Sequence, residues 1–132
     1  SSAHLLDCTL TNVQVRIISL MTVRHWNAAY PWSAQAKTAV GAGLDLAIIE
    51  AIKAGEQPDF SDATDAAVHA ATRELLATGN LSDDGFKAAE ATLGHKRLVE
   101  QVHTIGHFCT TGMMANIFGV VPPDDAVSRL KP

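Results

Sequence analysis

The sequence predicts an all-α fold of six helices, and three observations carry that expectation. Alanine is abundant while rings are scarce, with only 2 Trp, 1 Tyr and 4 Phe in 132 residues, a balance that favours helix over strand. Apolar residues recur three and four apart instead of alternating. The apolar stretches begin at Ser, Thr, Asp or Asn and stop at glycine, where helices start and end. With 47% hydrophobic and 18% charged residues, the chain is expected to fold as one domain over residues 1–132, with a core large enough to need no disulfide.

Thr11-Asn12 offers an N-cap to the first helix, in which Val13, Ile17, Leu20 and Met21 fall at helical spacing and Val15, Ile18 and Val23 widen the stripe, carrying it to about residue 28. Pro31 sits near the start of a second helix, where a missing N–H is tolerated. Trp32, Ala36 and Ala39-Val40 continue it to Gly41-Ala42-Gly43. Asp45 caps a short third helix through Ile48-Ile49 and Ile52 that closes at Gly55, and the following Gln57-Pro58-Asp59 reads as loop. Ser61 or Asp62 caps a fourth helix whose small face, Ala63, Ala66, Ala67, Ala70 and Ala71, permits close helix approach before the stop at Gly79. Ser82 opens a fifth helix, with Asp83-Asp84 placed where the helix dipole favours acids, and Gly94 closes it. A sixth runs from about residue 96 to Gly119 with so few polar residues that it is expected to be buried on most sides. Gly106 and Gly112 within it cost about 1 kcal/mol each in helix propensity, which suggests tight packing there.

Charge and cysteine usage exclude several classes. Ten basic against fourteen acidic residues give a net charge of −4, with no Lys/Arg-rich stripe, so neither a nucleic acid nor an anionic lipid surface is an expected partner. Charged residues interrupt every hydrophobic stretch, leaving no membrane span. Cys8 and Cys109 form no CxxC and no metal knuckle, consistent with free thiols in a reduced, cytoplasmic setting. The chain begins Ser1-Ser2 without a methionine, so further residues could precede it.

Two constellations are candidates for chemistry. His25-Trp26-Asn27-Ala28-Ala29-Tyr30-Pro31-Trp32 gathers both tryptophans and the tyrosine at one helix junction, forming either a core plug or the wall of an apolar pocket. His103 and His107 are four apart and so share a helix face, at a spacing that suits a shared metal or substrate. No third ligand completes a metal set, which leaves a pocket acid/base role or packed, oligomer-facing histidines. Cys109 follows on the same helix, where burial would keep the thiol inert. No Ser-His-Asp order, phosphate-cradling glycine loop or catalytic carboxylate pair is present.

The stretch from about residue 10 to residue 123 resembles the carboxymuconolactone decarboxylase family, the helical superfamily that also contains alkylhydroperoxidase D-like proteins. Val15-Arg16-Ile17-Ile18-Ser19-Leu20-Met21-Thr22 is similar to the family's R-E-L-x-I-L-x-V helix, and Tyr30-Pro31-Trp32-Ser33-Ala34-Gln35 to its Y-E-W-x-x-H motif. Ala42-Gly43-Leu44 through Gly55, Asp59-Phe60-Ser61-Asp62, Thr78-Gly79-Asn80-Leu81-Ser82-Asp83 and Asn116-Ile117-Phe118-Gly119-Val120 resemble further family segments in the same order. The departures fall on proton-handling positions: Arg16, Pro31 and Gln35 stand where the family has Glu, Glu and His. The peroxidase cysteines of alkylhydroperoxidase D-like members correspond to Ala28 and Pro31, so a CxxC thiol mechanism is excluded.

The resemblance thus implies a divergent lyase or decarboxylase-type enzyme that needs no cofactor and acts on a small, anionic, carboxylated or enolic substrate. Arg16 would bind the anion and Gln35 orient it, since an amide cannot titrate. His103 or His107 would be the acid/base, and Trp26, Tyr30 and Trp32 would wall the pocket. A homo-oligomer (dimer, trimer or hexamer) is expected. A non-catalytic oligomeric scaffold that kept the fold and lost the chemistry is the alternative.

Overall fold

The computed structural model describes residues 9–130, and every regular element among them is helical. The elements are α1 (Asn12–His25), α2 (Ala29–Gly41), α3 (Leu46–Ala54), α4 (Ala63–Thr78) and α5 (Asp83–Ile117). Four predicted caps form as the sequence suggests. Thr11 accepts from the Gln14 backbone N–H while Gln14 returns to the Thr11 N–H, a reciprocal capping box. Asp45, Asp62 and Ser82 cap α3, α4 and α5. Gly55 and Gly79 end α3 and α4 with left-handed backbones, φ 75° in each.

α1 is the centre of the bundle and packs against α2, α3, α4 and α5. Val15, Ile17, Ile18, Leu20 and Val23 are all buried, each side chain contributing about 1.5–3 kcal/mol by leaving water. Its polar residues can follow them inside because the helix satisfies them: Thr22 donates to the Ile18 carbonyl and Ser19 to the Arg16 carbonyl, both at 2.8 Å. A buried polar clamp joins α4 to α5. The Gln101 amide donates to Thr72 Oγ1 at 2.8 Å and to the Val68 carbonyl at 2.9 Å. Further along, the alanine face of α4 meets the first half of α5, where Ala71, Ala89 and Leu98 form a second, smaller core.

Five helices are assigned among the described residues, the run through residues 83–117 counting as one element. Yet Gly94 interrupts that run with φ 79° and ψ 166°, so two helical stretches meet at a kink where the sequence places the end of the fifth helix. Three other expectations need correction. The first helix stops at His25 instead of near residue 28, because Asn27 turns left-handed at φ 50° and the Ala28 N–H reaches back to the Val23 carbonyl. The last helix is not buried on most sides, since Val99, Val102, Met113, Met114, Ile117 and Phe118 are exposed. Nor is its backbone crowded at the glycines: a Cβ on Gly106 would meet nothing within 4 Å, and one on Gly112 only ordinary contacts at 3.5–3.6 Å with Trp26 and Ala28.

Candidate functional site

Arg16 and Gln35 come together. Arg16 leaves α1 toward α2, where its Nη1 donates to Gln35 Oε1 at 2.5 Å. The guanidinium carbon lies 5.9 Å from the centre of the Phe108 ring on α5, within range of a cation–π contact. Its Nε is buried without a partner, and among the described residues no carboxylate pairs with the guanidinium. Burial pulls the Arg16 pKa below its ordinary value by removing water from the charge. The side chain is thus held by one neutral amide and one ring face, and no carboxylate among the described residues neutralises its charge.

Phe108 links this pair to the histidine face of α5. The His107 ring stands edge-on to Phe108 with centroids 4.8 Å apart. His107 is half-buried, whereas His103, one turn earlier, is exposed. The order Gln35, Arg16, Phe108, His107 therefore runs across α2, α1 and α5.

The three aromatics do not form one wall. Trp26, just past α1, is 38% exposed, and its indole N–H donates to Cys109 Sγ at 3.3 Å. The Trp26 carbonyl accepts from Asn116 Nδ2 at 2.8 Å, fixing the junction against the end of α5. Tyr30 is exposed and lines a different cleft, with Lys37 and Asp125. Trp32 corrects the pocket expectation outright. It is fully buried in the core, and its Nε1 donates to Ser128 Oγ at 3.0 Å. Residues two apart on a helix project about 200° apart, so Tyr30 and Trp32 could not both face one cavity.

A separate cavity carries no motif in the sequence. A pocket of about 230 Å³ opens between α1, α3 and α4, with Met21, Ile52 and Leu76 in its lining and Arg24, His25, Glu56 and Arg73 as its charged or titratable members besides His69. His69 is 4% exposed and tilts against the Phe60 ring at 5.4 Å. Its Nδ1 is sealed from solvent and has no hydrogen-bond partner. Burial, and secondarily the positive charge of Arg73, push the His69 pKa below its ordinary value. The i, i+4 spacing of His69 and Arg73 was the one signal in the sequence. The surrounding alanines mark that helix as packing surface, and Arg24 joins the site only through the fold.

Among the described residues no three His, Cys, Asp or Glu side chains are gathered as a metal ion would need, and no helix is long and apolar enough to cross a membrane. Of the two cysteines, Cys109 is a half-buried free thiol, and Cys8 lies outside the described residues. No protein-family model, curated protein or solved structure matches the chain.

Proposed function

We propose that this chain is a small-molecule lyase of carboxymuconolactone decarboxylase type, acting on a carboxylated or enolic substrate at the Arg16–Gln35–Phe108 junction. One observation carries the proposal: a half-buried guanidinium oriented by Gln35 at 2.5 Å, with no carboxylate partner among the described residues. A charge kept from water is costly unless paired, and a substrate carboxylate would pair it through two parallel N–H···O bonds. Loss of carbon dioxide from an enol-forming acid breaks a carbon–carbon bond and leaves its electron pair on the substrate as an enolate. A protonated histidine then delivers a proton to that carbon. His107, whose ring shares Phe108 with Arg16, is the nearer choice, and His103 on the same face is the alternative.

A homo-oligomer and a cytoplasmic setting belong to the same proposal. The exposed Val99, Val102, Met113, Met114 and Ile117 of α5, with Phe118 just past its end, supply an apolar face suited to a second copy. That face also favours the second proposal, an oligomeric scaffold without chemistry.

The test is a panel of small lactones and β-keto or enol acids, assayed for carbon dioxide release and loss of ultraviolet absorbance. For a substrate so found, Arg16→Gln should raise KM, and replacing both His103 and His107 by alanine should lower kcat by about 100-fold or more. Unchanged turnover in the double variant would end the histidine assignment. A panel without turnover, combined with a concentration-independent oligomer in sedimentation, would favour the scaffold.

A further inference from the structure

We propose that the pocket between α1, α3 and α4 binds a small carboxylate carrying an apolar body, held by Arg24 and Arg73 at its mouth and by His69 in its wall. The site is separate from the Arg16 junction and does not depend on the activity proposed there.

The argument begins with charge. Two arginines and one glutamate, Glu56, line the cavity, leaving a surplus positive charge when both histidines are neutral. Neither arginine has an ion-pair partner among the described residues. Arg24 is already aimed, because its Nε donates to the Lys53 carbonyl at 2.9 Å and both terminal amino groups remain to meet a ligand. A guanidinium fixed in this way loses little freedom on gripping a carboxylate.

The wall supplies the second half of the argument. His69 is 4% exposed, and its Nδ1 has no partner. A buried polar group left unpaired is uncommon and calls for an explanation. His69 lines the pocket together with Arg73. An anion that offsets Arg73 removes the lesser of the two effects that lower the His69 pKa, burial being the larger, so the ring takes up a proton more readily. Met21, Ile52 and Leu76 line the rest, so a bare oxyanion would leave apolar surface wet. At about 230 Å³ the cavity suits a one-ring or short branched acid, below the usual range for drug-sized ligands.

The experiment is a titration of the full chain, isotopically labelled at histidine, with benzoate at neutral pH, following the His69 ring resonances assigned with His69→Gln. A saturating shift is expected with Kd of about 1 mM or tighter, accompanied by a rise in the His69 pKa. Benzamide, the neutral isostere, and inorganic phosphate should each bind at least about tenfold more weakly, as should benzoate to the Arg24→Gln/Arg73→Gln variant and to Arg73→Gln alone. Removing the opposing charge with Glu56→Gln should tighten benzoate binding. The proposal is overturned by benzamide binding as tightly as benzoate, by phosphate doing so, or by arginine variants that bind unchanged. It is also overturned by the absence of a saturable His69 shift up to about 50 mM, and by benzoate shifts that appear at His107 and vanish in Arg16→Gln.

Discussion

Replacing Ser128 by alanine should destabilise the protein well beyond what one lost hydroxyl suggests. Ser128 is buried, accepts the Trp32 indole N–H at 3.0 Å and donates to Glu50 at 3.3 Å. The substitution loses both hydrogen bonds, but water can replace the longer one at the exposed Glu50. The cost is therefore the buried bond, about 1 kcal/mol, plus the donor stranded in a fully buried ring, for a total of about 2 kcal/mol. For a chain of this size that is a fall in melting temperature of about 6–10 °C. Trp32→Phe removes the donor itself, so in that background Ser128→Ala should cost only about 0.5–1 kcal/mol. Urea unfolding of the wild type, both single variants and the double variant closes the cycle, and a coupling of about 1–1.5 kcal/mol is expected. Equal costs for Ser128→Ala in the two backgrounds, within about 0.3 kcal/mol, would refute the claim that the indole and the hydroxyl satisfy each other.

Two further outcomes are expected. Gly106→Ala should stabilise the isolated chain by about 0.5–1 kcal/mol, since its Cβ meets open space on a helix; a loss of stability in dilute urea unfolding would mean that this face is closed. The depressed His69 pKa gives a pH dependence of definite sign. Above about pH 6.5 both folded and unfolded imidazoles are neutral, and below it the unfolded chain takes up a proton that the folded site resists, so stability should fall as pH drops from about 6.5 toward the lower folded pKa. His69→Gln should flatten the unfolding free energy between about pH 7.5 and 5, and an unchanged slope would contradict the assignment.

What could be read along the chain was what is local. Thr11, Asp45, Asp62 and Ser82 announce helix starts because their side chains cap a backbone within three residues, and Gly55 and Gly79 announce stops for the same reason of reach. Gly94 marks the helix break locally as well, through its left-handed φ of 79°, but the kink by which the chain continues along α5 carries no local signal. The encounter of Arg16 with Gln35 was anticipated through the family resemblance, not through spacing. The fates of Trp26, Tyr30 and Trp32 depend on helix rotation at a junction whose turn hinges on Asn27, so clustering in sequence did not mean clustering in space. His69 carries only a faint sequence signal for a related reason: beyond its i, i+4 spacing to Arg73, the other charged residues of its pocket, Arg24 and Glu56, lie 45 and 13 positions upstream.

The ties that span the chain have a consequence for the order in which it folds. Helical bundles owe their speed to local contacts, but several polar fastenings here join segments far apart: Trp32 to Ser128 across 96 positions, Thr9 to Glu100 across 91 and Trp26 to Cys109 across 83. The central α1 can form early, while its indole-bearing neighbour α2 cannot be sealed until the last described residues arrive. During synthesis the Trp32 side of the core therefore stays open until Ser128 and Leu130 leave the ribosome, and this late closure is the step at which a nascent chain would most need shielding from its neighbours.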